Sequence, residues 1–183
     1  MTEYRDVASH GDMNLAWAVR HEVFVDEQKV PIEEEVDALD LEPTTIHALA
    51  LSDGVCLGTG RVLFDSPGHV HIGRLAVRAA ARGRGIGVGL MEYLERRAAE
   101  RYAVDGAVTI VLSSQEHAME FYSRLGYAPV SGERYLDAGI WHHDMSKVVS
   151  SSSRCPTQHD LGTQRTHSVR PLPRSRTESP DLG

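Results

Sequence analysis

Cysteine is nearly absent from the 183-residue chain, which contains only Cys56 and Cys155. Two cysteines cannot form the disulfide framework of a small secreted protein, so the composition favours a reducing compartment. The first twelve residues are polar and contain no apolar segment typical of a signal peptide. No apolar run is long enough to cross a bilayer. We therefore expect a cytoplasmic protein with no membrane partner.

Lysine is equally scarce and occurs only at positions 29 and 147. A P-loop nucleotide hydrolase needs a lysine in its glycine-rich loop, and a pyridoxal enzyme needs one for its Schiff base. Neither lysine lies near residues 78–89, where glycine and arginine are concentrated. The scarcity of lysine therefore excludes both classes of enzyme.

Aliphatic residues are sparse in the last 34 residues, 150–183, which contain a serine run, four prolines and five arginines. So little apolar surface cannot offset the entropy of ordering the segment. The composition predicts a disordered low-complexity tail and a single domain over residues 1–149. The tail has three carboxylates, so the domain carries a net charge of −9 within the chain's total of −7. An acidic domain lacks the basic face that nucleic-acid binding requires, and no nucleic-acid partner is expected.

Apolar patterning in residues 1–149 predicts an alternation of strands and helices. The predicted strands are residues 3–8, 46–51, 55–64, 70–77, 107–112, 127–133 and 140–148. Helices are predicted to begin near Met13 with Asp12 as N-cap, near Ile86, and at Ser113 or Ser114. The second to fourth strands form an antiparallel meander, and the helical crossover that follows makes its two flanking strands parallel. The predicted fold class is α/β, with a mixed, mostly antiparallel central sheet flanked by helices.

The most specific chemical signal is the segment Arg82–Gly87, Arg-Gly-Arg-Gly-Ile-Gly, between a predicted strand and a predicted helix. A helix N-terminus presents unpaired N–H groups and the positive end of the helix dipole, and glycines let these groups approach a ligand closely. These features predict a phosphate-binding site. The dinucleotide-binding fingerprint does not fit, because Val88 or Leu90 occupies the position of its third glycine.

Three segments resemble the GNAT superfamily of N-acetyltransferases. They are Arg82, Gly85 and Gly87, which match the coenzyme A signature R-x-x-G-x-G; residues 74–77, Arg-Leu-Ala-Val, which resemble the central strand; and residues 118–127, which resemble the motif A-x-x-F-Y-x-x-L-G-F. Residues 23–40, which begin Val-Phe-Val-Asp-Glu-Gln and continue into a run of carboxylates, are similar to the ElaA-like branch of that superfamily. The joint occurrence of these patterns in the family's order is more specific than any one of them.

The resemblance implies that acetyl-CoA is the cosubstrate and that a primary amine of a small molecule, polyamine or peptide attacks it directly in a ternary complex. The implied coenzyme-binding residues are Leu75, Ala76 and Val77 along the pantetheine arm, and Arg82, Gly83, Arg84, Gly85, Ile86 and Gly87 around the pyrophosphate. The N–H group of Val77 would polarise the thioester carbonyl, and Tyr122 would be the general acid for the coenzyme thiolate. A non-catalytic acyl-CoA sensor on the same fold is the alternative, and the presence of Tyr122 favours catalysis.

The sequence leaves the general base open, with Glu27, Glu35, Asp37 and His47 as candidates. Glu27 and Asp37 are also the expected contacts of the acceptor. They belong to an acidic segment that either attracts a cationic acceptor or is a solvated loop without a role. Arg74 either reaches the acceptor or pairs with this segment.

Four histidines lie on two of the predicted strands, at positions 69, 71, 142 and 143. No cysteine or carboxylate spacing supports them as metal ligands, so we expect surface or packed histidines and no metal. The acidic surface and the sheet edges are compatible with either a monomer or a homodimer.

Overall fold

A computed structural model describes residues 1–151, so the predicted tail falls almost wholly outside the described residues. The strands are β1 (Glu3–Asp6), β2 (Ile46–Ser52), β3 (Val55–Ser66), β4 (His69–Val77), β5 (Ala107–Gln115), β6 (Ala128–Pro129), β7 (Tyr135–Asp137) and β8 (Ile140–Ser150). The α-helices are α1 (His10–Arg20), α2 (Ile32–Glu35), α3 (Ile86–Tyr102) and α4 (Met119–Arg124). A π-helix over His21–Glu27 continues α1, and 3-10 turns occupy Ala38–Leu41, Ala79–Ala81 and Glu116–Ala118. None of these helices is long and apolar enough to cross a membrane.

These strands form one sheet in the order β1-β2-β3-β4-β5-β8-β6, with β7 paired to β8. Each pairing is antiparallel except that of β4 with β5, which α3 joins as a crossover. Helix α3 packs on one face, where Leu90 and Leu94 are fully buried. Helix α1 packs on the other face through Ala16 and Val19. The predicted fold class, a mixed and mostly antiparallel sheet flanked by helices, is confirmed.

The sheet opens between β4 and β5. The two strands pair only over His69–His71 and Thr109–Val111, although both continue for several residues beyond these pairs. Strand β5 stays paired with β8 along its whole length, whereas β4 follows β3. The edge of β4 that faces β5 is therefore unpaired from Ile72 to Val77.

A β-bulge in β4 lies beside this opening. One extra residue of β4 opposes β3 around Arg74, which has a positive φ of 52°. A bulge shifts the alternation of side chains by one position. Ile72 belongs to the core beneath α3, and after the bulge Leu75 and Val77 pack against that same core, whereas Ala76 packs under α1. The bulge thus directs Leu75 and Val77 towards α3.

The start of α1 differs from the sequence prediction. Ser9, not Asp12, is the N-cap, and its side-chain oxygen accepts a hydrogen bond from the Asp12 N–H group. Asp12 instead binds Arg5 of β1 through two hydrogen bonds of 2.7 and 2.8 Å. Leu15 of α1 is exposed although it is apolar. Because serine and aspartate are both good caps, local sequence does not separate them without the Arg5 contact.

The segment after residue 112 also differs from the prediction. Ser113 and Ser114 cap no helix, because both lie in β5 opposite Asp144 and His143 of β8. Pairing with β8 extends β5 to Gln115, and α4 begins only at Met119. The predicted strand 127–133 is reduced to Ala128–Pro129, and β7 was not predicted. These boundaries depend on pairing between strands that are distant in sequence, and the local pattern of apolar residues cannot predict such pairing.

Gly58 of β3 is expected to be intolerant of even a methyl group. A Cβ atom there would lie 2.9 Å from the carbonyl oxygen of Ala76 and 3.0 Å from Leu90 Cδ1, so the strand or α3 would have to move. We predict that Gly58→Ala lowers the free energy of unfolding by about 1–3 kcal/mol, measured by urea denaturation. Gly73→Ala is the matched control, since a Cβ at Gly73 meets no atom within 4 Å. Equal stability of the two variants would contradict this packing.

Candidate functional site

The main cavity of the described chain is a cleft of about 1180 Å³ at the opening between β4 and β5. One end of the cleft is lined by backbone and side chains from the segment 82–87, which we call the glycine-rich turn, together with Leu75, Val77 and Tyr122. The other end is lined by groups from the segment after α1, the end of β5, and the β7–β8 hairpin. These include Gln28, Glu34, Arg74, Gln115 and His142. The cleft therefore joins the two faces of the sheet.

The glycine-rich turn has the geometry of an anion site. Gly83 and Gly85 have φ of 72° and 78°, and a Cβ at either position would meet no atom within 4 Å. Gly85 is the N-cap of α3 and supplies no side-chain cap. Within residues 1–151, the N–H groups of residues 83–88 make no hydrogen bond of standard geometry, and the first such donor in the helix is Gly89. Six successive donors at the positive end of a helix suit a diphosphate.

The side chain of Arg82 is already bound within the chain. Its Nε donates to the carbonyl oxygen of Val77 at 3.0 Å, and its Nη2 donates to Glu27 Oε2 at 2.5 Å. These contacts attach the glycine-rich turn to the end of β4 and to the π-helix. Arg84 is exposed and does not line the cleft.

The end of β4 presents one backbone donor to the opening. The N–H group of Arg78 bonds to Leu57 of β3 at 2.9 Å. Successive N–H groups of a strand point to opposite edges, so the N–H group of Val77 points away from β3 and towards β5. The side chains of Leu75 and Val77 line the cleft, whereas that of Ala76 is buried under α1. By the same alternation the N–H group of Ala76 points to β3, and Ala76 does not line the cleft, so its contact with the coenzyme stays a prediction.

Tyr122 lies on α4 at the cleft wall. Its ring makes edge contacts with Phe121 and Tyr127, at centroid distances of 5.0 and 6.1 Å. Its hydroxyl makes no hydrogen bond with any described residue, and burial raises its pKa to about 12. The side chain is therefore protonated at neutral pH.

The acidic segment is not a solvated loop, contrary to one of the two interpretations that the sequence left open. Glu35 and Asp40 are buried together with two arginines, Arg20 and Arg61. Arg20 binds Glu35 through Nε, and its Nη1 binds both oxygens of Asp40 at 2.8 and 2.9 Å. Arg61 binds Asp40 at 2.5 Å and Asp37 through two bonds of 2.7 and 2.8 Å. We call these five residues the ionic network.

Arg74 joins the ionic network instead of reaching freely into the cleft. Its Nη2 donates to the carbonyl oxygen of Glu34 at 2.7 Å, and its Nε lies 3.3 Å from Glu35 Oε2. The sequence left open whether Arg74 reaches the acceptor or pairs with the acidic segment. In the structure it pairs with the acidic segment.

The carboxylates proposed as bases all have partners inside the chain. Glu27 binds Arg82, and the hydrogen bonds from Arg61 hold the pKa of Asp37 below its usual range. Glu35 binds Arg20 and Arg74. Glu27 and Asp37 do not line the cleft, so their contact with an acceptor stays a prediction.

His47, the fourth proposed base, lies outside the cleft lining. Its Nε2 is 3.0 Å from the carbonyl oxygen of Asp40, and burial lowers its pKa. In the part of the chain that the structure describes, no three histidine, cysteine or carboxylate side chains are grouped to hold a metal ion.

Sequence reasoning missed the two arginines of the ionic network. Arg20 follows the buried Val19, and Arg61 lies in β3 between buried Gly60 and Val62. A buried arginine needs a carboxylate partner, because an unpaired buried charge is costly. The sequence pattern that could have predicted these ion pairs is an arginine beside buried apolar positions, together with the run of carboxylates in residues 33–42.

The chain belongs to the GNAT acetyltransferase family and is an acyltransferase. The model of the acetyltransferase (GNAT) domain matches residues 8–149. The uncharacterized N-acetyltransferase YjcF of Bacillus subtilis is 38% identical over 132 residues, which cover 72% of this chain and 89% of that protein. The predicted membership of the superfamily is thereby confirmed.

Two solved structures are similar over nearly their whole length. The crystal structure of Escherichia coli ElaA has a TM-score of 0.72 and 28% identity, and covers 80% of this chain and 99% of its own. An acyl-CoA N-acyltransferase from Pseudomonas aeruginosa has a TM-score of 0.69 and 37% identity with the same coverage. The likeness to ElaA agrees with the branch that residues 23–40 indicated.

Asp40 is expected to be the most sensitive member of the ionic network. We predict that Asp40→Asn lowers the free energy of unfolding by about 3 kcal/mol in urea at pH 7, because Arg20 and Arg61 stay buried with less compensating charge. Glu120→Gln is the control, since Glu120 and its partner Arg124 are 77% and 75% exposed. Its effect should stay below about 0.5 kcal/mol. Similar losses in both variants would contradict the burial of the network.

The same network sets a pH dependence. Burial would raise the pKa of Asp40, but hydrogen bonds from Arg20, Trp17 and Arg61 outweigh it and lower the pKa, as Arg61 does for Asp37. Lowered carboxylate pKa values stabilise the fold above the ordinary aspartate pKa of about 4, and this stabilisation is lost as the pH falls below it. Asp40→Asn should therefore show a shallower loss of stability between about pH 4 and pH 2 than the wild type.

Proposed function

We propose that residues 1–149 transfer an acetyl group from acetyl-CoA to a primary amine, by direct attack of the amine in a ternary complex. The observation that carries this proposal is the row of unpaired N–H groups at residues 83–88, at the mouth of a cleft that passes through the opened sheet. The Pseudomonas aeruginosa relative, described as an acyl-CoA N-acyltransferase, supports the choice of an acyl-CoA as donor.

The proposed diphosphate site is formed mainly by backbone. The N–H groups of residues 83–88 would bind the phosphate oxygens, and the dipole of α3 would add to the attraction. Arg82 and Glu27 would hold the turn in place, while the exposed side chain of Arg84 is free to reach a phosphate. Since backbone donors carry most of the binding, mutation of either arginine should weaken coenzyme affinity less than obstruction of the turn.

The pantetheine arm is proposed to lie along the unpaired edge of β4. Strand-like hydrogen bonds from Leu75 to Val77 would replace those that β5 makes elsewhere in the sheet. The N–H group of Val77, directed into the opening, would bind the thioester oxygen and stabilise the negative charge that develops there during attack. The thioester carbon would then lie in the opening between β4 and β5, where it can be reached from both faces of the sheet.

Tyr122 is proposed to supply the proton that the leaving group needs. When the carbon–sulfur bond breaks, the electron pair stays on sulfur, and the developing thiolate accepts a hydrogen bond and then a proton from the tyrosine hydroxyl. The raised pKa keeps that hydroxyl protonated at neutral pH. The tyrosine proton is then replaced from solvent.

Gly85→Glu should abolish the binding of coenzyme A. The new carboxylate would occupy the diphosphate position and repel it, so we predict at least a 100-fold rise in Kd by isothermal titration calorimetry. Gly106→Glu is the matched control for backbone strain, because Gly106 has φ 80° and equally open surroundings in the turn before β5. Unchanged affinity in Gly85→Glu, or an equal loss in Gly106→Glu, would reject the diphosphate site.

Tyr122→Phe should lower turnover without changing the affinity for the coenzyme. We predict a fall in kcat of about 10- to 100-fold, followed as thiol released from acetyl-CoA with a panel of spermidine, lysine and lysine peptides. Tyr127→Phe is the control, because its ring contacts Tyr122 but Tyr127 does not line the cleft. If both variants keep wild-type kcat, Tyr122 has no acid role.

A further inference from the structure

The cleft also reaches the sheet face opposite Tyr122. Tyr122 packs against the core beneath α3. Gln115 of β5 faces the other way, where its Nε2 donates to Gln28 Oε1 at 2.9 Å, just after the π-helix. His142 of β8 is the register partner of Gln115, so their side chains share that face. An amine approaching from this side meets the thioester from the face opposite the coenzyme.

His142 is held in one tautomer. Its Nδ1 lies 2.8 Å from the carbonyl oxygen of Ile140. A carbonyl oxygen only accepts hydrogen bonds, so Nδ1 carries the proton and, in the neutral ring, Nε2 carries the lone pair. The ring is 7% exposed and stacks on Tyr135 at a centroid distance of 6.0 Å. Among residues 1–151, no side chain or backbone group binds Nε2.

Glu35, His71 and His117, three other titratable groups of the cleft, are less suited to accept a proton. Glu35 is bound by Arg20 and Arg74. His71 lies 3.6 Å from Asp65, and both side chains are open to solvent. His117 is exposed and makes no hydrogen bond that fixes its ring within the described residues. Of the three cleft histidines, His142 is the one both buried and oriented.

We infer that His142 is the general base of the reaction, with Nε2 taking a proton from the acceptor's ammonium group. This inference rests on the proposed acetyl transfer. The ammonium gives one proton to His142, which returns it to solvent, and the neutral amine attacks the thioester carbon. The new carbon–nitrogen bond forms, the carbon–sulfur bond breaks, and the second proton lost by nitrogen balances the one that the thiolate receives. The products are the amide, free coenzyme A and one proton.

Several charged or titratable groups lie on the elements around His142. On the packed elements they are Tyr135, Asp137, Asp144, Glu116, His117, His143 and, across the cleft, Glu34. Asp144 accepts a hydrogen bond from Tyr135 at 2.7 Å, and Glu116 lies near Arg134 and His143. Asp144 and Glu116 therefore have partners, whereas the carboxylates of Asp137 and Glu34 bind no group within residues 1–151, and none of the four binds His142 directly.

His142→Asn separates a catalytic role from a structural one. Asparagine keeps an N–H donor near the position of Nδ1 for the Ile140 carbonyl but has no basic nitrogen. We predict a fall in kcat/KM of about 100-fold at pH 7, with the panel amine that the wild type acetylates and with unchanged affinity for coenzyme A. The deficit should shrink as the pH rises, because a growing fraction of the amine is then neutral without help. His143→Gln, the adjacent residue on the opposite face, should keep wild-type kcat/KM.

A second measurement needs no turnover. Nitrogen-15 NMR of the histidine rings, assigned with His142→Asn, reports which nitrogen carries the proton. The inference requires the Nδ1–H tautomer in the neutral ring. An Nε2–H tautomer would overturn it, as would a His142→Asn variant with wild-type kcat/KM, or one whose deficit is constant from pH 6 to pH 9. If the wild type acetylates no amine, the proposed function fails, and the tautomer result still decides the state of Nε2.

Discussion

The parting of β4 from β5 after three residue pairs is the constraint on which the rest of the structure depends. An unpaired strand edge inside a sheet leaves backbone donors and acceptors without partners, which is unfavourable unless another group binds them. Here the bulge at Arg74 turns Leu75 and Val77 towards α3, and the N–H group of Val77 towards the opening. The same strand leads into the glycine-rich turn, so one continuous segment contains both the proposed diphosphate site and the edge that would bind the pantetheine arm.

The ionic network borders the cleft through Glu35 and Arg61. Four of its charged groups are buried and Asp37 is half-buried, and their pairing offsets the cost of burial only because each carboxylate meets a guanidinium with good geometry. The segment from α2 to β2 contains few buried apolar side chains, so these pairs, and not hydrophobic packing, attach it to α1 and β3. The carboxylates of Glu35, Asp37 and Asp40 are thereby paired within the chain, and His142 of β8 is the proton acceptor that we propose in their place.

Much of the fold was accessible from the sequence, because its signals are local. The glycine-rich turn, the helix after it and the three-strand meander each have their own turn residues or periodicity. The parts that were missed are non-local. The extension of β5 through Ser113 and Ser114 depends on pairing with β8, and the brevity of β6 depends on where the chain leaves that strand. No local pattern records either pairing.

The same distinction between local and non-local features applies to the candidate site. Backbone groups between Arg82 and Gly87 and the side chain of Tyr122 could be proposed from motif and resemblance. The partners of Glu27, Asp37 and Glu35 could not, because Arg82, Arg61 and Arg20 are distant in sequence. His142 was predicted to be a surface or packed histidine and not a base, since the role proposed for it depends on its register with Gln115 and on the carbonyl of Ile140.

The most direct test is a titration of isotopically labelled protein with coenzyme A, followed through its backbone amide signals by NMR. We expect saturable changes in chemical shift that are largest for the N–H groups of residues 83–88 and of Val77. Binding that leaves these amides unperturbed, or no saturable binding at all, would contradict it.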